Sequence, residues 1–353
     1  MNSLQDKKPA NASMQAIPSI DFMRVICAIL VVIVHTQSKG GDGVVEYTLT
    51  QIIPRVAVPF FFMISGYFLS LSLTKKHDIR IIFKYLKRII ATYILWSMIY
   101  YIVTIQYNLR NNISIAKVTK HFIINCFSIG SSYQLWYFPA LILSVFVFMF
   151  FYKMNKLNLL IGLSIILYMI GLFGSSYYRI GIKNPTLNLL YSSSQFTPIS
   201  RVFLMGIPFF LLGHIMNIHK KYLIKISIRR SWIITIALIV GFLIEIAFVK
   251  NMGISKGFTV TAFLYLLTGG IFILCIKNPM INILKHSMKL RYISNYTYYS
   301  HPLYIKFVDI FFSKMFKQSL AHLPEVMIVC FLTTITVIII LKVNNKHLLK
   351  LVA

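Results

Sequence analysis

The chain has 353 residues, of which 58% are hydrophobic and 12% charged, a composition that excludes an ordinary soluble globule and makes lipid the natural solvent. Its 36 Lys and Arg against eight acids give a formal charge of +28, but almost all of these bases lie in short connectors between apolar runs, where they meet anionic lipid headgroups; no nucleic-acid partner is expected. The four cysteines, Cys27, Cys126, Cys275 and Cys330, are scattered without metal-ligand spacing, so neither a disulfide framework nor a metal site is expected.

In chain order, residues 1–19 read as a disordered cytoplasmic tail, 20–343 as one transmembrane domain and 344–353 as a second cytoplasmic tail. Ten apolar stretches are long enough to cross about 30 Å of hydrocarbon. The first five lie near 20–36, 52–72, 88–106, 133–152 and 157–175, the second five near 200–217, 232–249, 258–276, 292–312 and 325–343. The run from Phe22 to Val34 begins beside Asp21 and Arg24 and lacks a small-x-small cleavage site, so it reads as a retained first helix and not a signal peptide. Placing alternate connectors on opposite sides gives one side roughly twice the Lys and Arg of the other, which turns both termini to the cytoplasm. The expected architecture is all-α and polytopic, with about ten transmembrane helices, N-in and C-in, in the cytoplasmic membrane.

Function is sought among the polar residues inside the spans, because a charge at membrane depth is costly unless paired or facing a wet cavity. Arg24 and His35 have ten residues between them, so they differ by about 20° around helix one, share a face, and stand about 16 Å apart along it. Arg24 then lies near the cytoplasm and His35 near the outer surface. Asp21 can pair with Arg24 three residues on, and His35 is either an interfacial hydrogen-bonding group or a catalytic one. Arg55, at the outer end of the second span, either snorkels to headgroups or shares an outer cavity with His35. Ser65 and Gly66 suit close helix packing. Glu245 is either a structural partner of Arg201 or a catalytic carboxylate. His301, beside Pro302, is either a core hydrogen bonder or part of the substrate path.

Five segments in order carry a resemblance: Ile20-Asp21-Phe22-Met23-Arg24 leading to His35, the stretch from Arg55 to Tyr67, Leu135-Trp136-Tyr137-Phe138-Pro139-Ala140, Phe209-Phe210-Leu211-Leu212-Gly213, and Ser294-Asn295-Tyr296-Thr297-Tyr298-Tyr299-Ser300-His301-Pro302-Leu303. Together they resemble the bacterial acyltransferase-3 family. The resemblance implies ten spans and the transfer of acyl groups, often acetyl from cytoplasmic acetyl-CoA, to extracytoplasmic saccharides, lipids or peptidoglycan precursors. It also implies that Arg24 and His35 are the first helix's functional pair, with His35 essential. The family's basic Arg-x-x-Arg motif after the second helix, linked to the acyl donor, has the approximate counterpart Lys84-Tyr85-Leu86-Lys87-Arg88, where lysines weaken bidentate phosphate recognition. Gln134 replaces the His that many relatives carry before Leu-Trp-Phe, whereas Trp136 is kept.

The stretches from Arg55 to Tyr67 and from Leu135 to Ile142 look especially like the membrane domain of the vancomycin-resistance serine racemases, which is thought to handle serine uptake. The pyridoxal-phosphate domain that follows the last span in those proteins is not found in this sequence, so racemase activity is not expected of it, although a soluble domain or partner protein could complete it. The resulting expectation is an O-acetyltransferase with acetyl-CoA as co-substrate and no permanently bound cofactor. Its catalytic residues are His35, Arg24 and Arg55; its donor-binding residues Lys84, Lys87 and Arg88; its substrate path Asp21, Ser65, Trp136, Glu245 and His301. Anionic lipids, acyl-CoA and an envelope glycan or lipid-linked acceptor are the expected partners. The rival expectation is a serine-like small-molecule transporter, against which stands the lack of any correspondence between Pro59, Pro139, Pro208 and Pro302 in the two halves.

Overall fold

A computed structural model describes residues 17–36, 43–76, 78–110, 114–128, 130–192, 200–277, 287–317 and 320–352; the tail expected over 1–19 therefore lies, up to residue 16, outside the described residues. Among the described residues all regular structure is helical. The principal helices are α1 (Pro18–His35), α2 (Ala57–Lys76), α3 (Arg80–Arg110), α4 (Ile115–Ser128), α5 (Tyr137–Lys153) and α6 (Leu157–Phe173). They continue with α7 (Ile207–Ile218), α8 (Ile228–Asn251), α9 (Ala262–Lys277), α10 (Ser287–Phe316), α11 (His322–Val343) and α12 (Lys346–Val352).

Local chemistry sets several ends. Pro18 opens α1, where its fixed φ suits a helix and its missing N–H costs nothing, and Asp21 stands in the positive first turn. Ser227 caps α8 by accepting from the Arg230 N–H at 3.2 Å. Asn344 closes α11 in the left-handed region at φ 51°. Within the segment read as the second tail, α12 packs against α3, α10 and α11, with Val352 fully buried.

Each of the ten apolar stretches coincides with a helical segment. Five segments are long and apolar enough to cross a membrane: Pro18–His35, Thr48–Lys76, Arg80–Gln106, Ile228–Asn251 and His322–Val343. Four more, Tyr137–Lys153, Leu157–Phe173, Val202–Ile218 and Ala262–Lys277, are apolar but shorter. At 1.5 Å per residue a 17-residue helix reaches only about 25 Å, so its ends need polar turns to complete a crossing. Helix α10 is long enough but turns hydroxyls inward, with Ser294, Thr297 and Ser300 buried against its neighbours. Ile236, Ile244, Phe331 and Ile339 face outward from α8 and α11. Apolar surface this extensive fits lipid and not water: the chain is a membrane protein.

Helix α2 is the most enclosed of the five and lies along α7. A Cβ on Gly66 would overlap the carbonyl of Phe210, and one on Gly213 would overlap the carbonyl of Met63, so the two backbones meet in direct contact. Beyond the crossing, Asn217 Nδ2 donates to Ser70 Oγ (2.9 Å) and Thr74 Oγ1 (3.1 Å), and Ser70 Oγ donates to His214 Nδ1 (2.8 Å). These bonds clamp the pair from inside. The same helices answer each other in another way: a π-helical turn precedes each, Ser200–Gly206 directly before α7 and Thr48–Ile52 before α2 with a 3-10 turn, Ile53–Val56, between them, and each helix carries Pro-Phe-Phe near its start, at Pro59 and Pro208. The π turns are the part of this correspondence that the sequence does not show, because an i+5 turn leaves no composition signal.

Candidate functional site: two cavities meeting at one tyrosine

Helices α1 and α10 lie side by side, and their polar residues open onto two cavities. The inner one, at the Arg24 end of α1, is lined by Arg24, Ser65, Arg88, Arg291, Tyr298 and neighbouring aromatics. Asp21, fully buried, accepts from Arg291 at both oxygens, Nε to Oδ1 and Nη2 to Oδ2, each 3.1 Å. The expected partner Arg24 is present but secondary: its Nε stands 3.8 Å from Asp21 Oδ1, an ion pair without a hydrogen bond. Its guanidinium lies 5.6 Å from the centre of the Phe68 ring. Arg88 lies 5.8 Å over the Tyr85 ring. Arg24 and Arg291 share one carboxylate and Arg88 stands in the same wall, which leaves a surplus of positive charge, the chemistry of an anion site. Lys84 and Lys87 are exposed and do not line it. Ser65 Oγ donates to Tyr137 Oη (3.0 Å), which donates in turn to the carbonyl of Phe61 (3.2 Å).

The outer cavity, at the His35 end of α1, is lined by His35, Arg55, Gln134, Trp136 and Tyr298 within walls of Val31, Val34, Pro54, Val58 and Met205. His35 and Arg55 therefore do share a cavity. Arg55 is held by Gln51, one turn back, with Nε donating to its carbonyl (2.9 Å) and Nη2 to Oε1 (3.3 Å). No carboxylate pairs with Arg55 among the described residues, so its charge is left for whatever enters.

The His35 ring lies 4.6 Å from Tyr133 and 5.3 Å from His301, the two imidazoles stacked within 23°. The backbone explains how His301 is held. Pro302 has no N–H to give the carbonyl of Tyr298, four residues back, and His301 Nδ1 donates there (2.9 Å) and to Thr297 O (3.1 Å). Both partners are carbonyls, which only accept, so Nδ1 carries the proton and Nε2 keeps its lone pair, buried without a partner among the described residues. His301 stands behind His35 and does not line the cavity.

Glu245 lies elsewhere. Its carboxylate caps α9, accepting from the N–H groups of Ala262 (2.8 Å) and Phe263 (2.9 Å) and from Tyr177 Oη (3.1 Å), and it lines neither cavity. The side chain of Arg201, its expected partner, lies outside the described residues. Sequence reading missed Arg291 and Tyr298. The signal for Arg291 is the need of Asp21, buried at the start of a span, for a partner stronger than an i,i+3 neighbour.

A family profile described as an acyltransferase domain matches residues 17–342. Among curated proteins the chain is similar to an amino-acid racemase of Enterococcus faecalis, 34% identical over 49% of this chain and 25% of the relative. A second from the same organism is 31% identical over 60% of this chain and 29% of the relative. A serine/alanine racemase of Enterococcus gallinarum is 29% identical over 80% of this chain and 40% of the relative. The chain thus spans well under half the length of these relatives. No solved structure matches it.

Proposed function

The chain belongs to the acyltransferase-3 family, and from that premise we propose that it moves an acyl group, acetyl by the family's habit, from cytoplasmic acyl-CoA to a hydroxyl of an extracytoplasmic envelope saccharide, lipid or peptidoglycan precursor. The observation that carries this reading is the pair of cavities: one rich in guanidinium groups, the other containing a histidine, with Tyr298 in both walls. In this reading the protein lies in the cytoplasmic membrane as about ten spans, N-in and C-in, with the shorter apolar helices and α10 completing the set.

The donor's phosphates bind at Arg88, Arg24 and Arg291, bidentate recognition that lysine would not supply, while Lys84 and Lys87 attract the polyanion from the surface. The thioester then reaches towards His35. The imidazole accepts the proton of the acceptor hydroxyl, the oxygen forms a new bond to the thioester carbonyl carbon, and the C–S bond breaks as His35 returns the proton to sulfur. Arg55 stabilises the oxyanion in the tetrahedral intermediate. His301, stacked on His35, fixes its ring.

The test is coenzyme A release from labelled acetyl-CoA by membranes carrying the wild-type chain or His35→Ala, with host envelope glycans as acceptors. Acetylated product is expected to fall by about 10²- to 10⁴-fold in His35→Ala, the usual worth of general-base catalysis. A second reading, transport of a serine-like zwitterion, is favoured by the matched π turns and Pro-Phe-Phe segments of α2 and α7, since transporters are often built from repeated broken helices. Serine uptake without coenzyme A release from any acceptor would select it.

A further inference from the structure

Tyr298 alone appears in the walls of both cavities among the described residues. It sits on α10 one turn after Ser294, which lines the inner cavity, and one turn before His301, which stacks on the outer cavity's His35. Only 4% of it is exposed. Its Oη donates to the carbonyl of Gln134 (2.8 Å), in the turn before α5, and its ring packs edge-on against Phe61 of α2 (5.4 Å) and Tyr137 of α5 (5.8 Å). One side chain is therefore tied to three elements at the place where the cavities adjoin.

We propose that Tyr298 is the partition between a donor cavity and an acceptor cavity, and that by keeping outer-cavity water from the donor it sets how the acyl group divides between transfer and hydrolysis. This second part rests on the acyltransferase reading above. A thioester on the inner side is exposed to loss: a water oxygen bonds to its carbonyl carbon, the C–S bond breaks, one water proton passes to the departing sulfur and the other to solvent, leaving a free carboxylate. An acceptor cavity open to the exterior delivers such water unless something closes the passage. The phenol ring does so, held by its packing against Phe61 and Tyr137.

Two measurements test this. The first needs no enzymatic activity. In the full chain with the four cysteines changed to serine, Ser65→Cys marks the inner cavity and Met205→Cys the outer one, and a membrane-impermeant maleimide is applied from whichever face labels Met205→Cys. Ser65→Cys is expected to resist labelling from that face while Tyr298 is intact, to label at least about tenfold faster with Tyr298→Ala, and to stay protected with Tyr298→Phe, which keeps the ring. Equal labelling with and without the Tyr298 ring overturns the partition. The second compares free acetate with acetylated glycan from labelled acetyl-CoA. Tyr298→Ala is expected to raise the acetate-to-product ratio by about tenfold, and Tyr298→Phe to change it little. An unchanged ratio in Tyr298→Ala, in membranes where the wild type transfers, overturns the role in product choice. Absence of transfer by the wild type instead overturns the acyltransferase reading and with it that role, while the labelling still decides the partition.

Discussion

The two cavities are built on opposite principles. The inner one concentrates charge: Asp21 is shared between Arg291 and Arg24, and Arg88 adds a third guanidinium. The outer one is mostly apolar, with Arg55 as its cation among the described residues and the His35 ring in its wall, backed by His301. A polyanionic ligand needs fixed counter-charge, whereas proton transfer at a hydroxyl needs a dry space with one base and one donor aimed at developing charge. The comparison teaches that this bundle separates concentrated charge from a mostly apolar space along α1 and α10.

Breaking the charged region has the largest expected effect on stability. Asp21→Asn leaves Arg291 and Arg24 buried without a counter-ion, which costs about 3–5 kcal/mol. Thermal unfolding of the purified chain in detergent should show this, and adding Arg291→Gln should recover part of it; an additive further loss would mean that the pair is not the unit. Next comes the crossing that carries both cavities. Gly66→Ala forces α2 away from α7 and should cost about 1–3 kcal/mol, with Ser65→Ala in the same assay nearly silent.

Glu245→Gln sharpens the boundary of the site. If the carboxylate serves only as the cap of α9, the change costs about 1 kcal/mol and leaves transfer intact. A loss of turnover at unchanged stability would return Glu245 to the substrate path. The smallest effects separate wall from surface in the inner region. Arg88→Ala should raise the KM for acetyl-CoA by about tenfold, and Lys84→Ala with Lys87→Ala by less than about threefold at physiological salt, because Arg88 lines the cavity and the two lysines act only as screened charges outside it.

Much of this was legible beforehand. The alignment of Arg24 with His35 follows from helical period, and the shared cavity of His35 and Arg55 from one short loop on one side of the membrane. Arg291 was not legible as a partner of Asp21, because 270 residues separate them and their pairing depends on α10 returning beside α1. Glu245 was misread for a related reason: a carboxylate inside an apolar run signals a buried need, but the run does not say that the need belongs to the N-terminus of the next helix.

Hydropathy, helical period and five ordered motifs thus determined by themselves that the chain is an all-helical membrane protein, where its apolar helices fall, and which family it resembles. These are properties of local sequence read against lipid. The tertiary structure alone decided that Tyr298 stands in two walls, that His301 Nε2 has no partner among the described residues behind His35, and that Arg291 and Arg24 share one carboxylate. Each of those depends on which helix faces which, and that is set by the close contact of Gly66 and Gly213 and by the packing of α1 against α10.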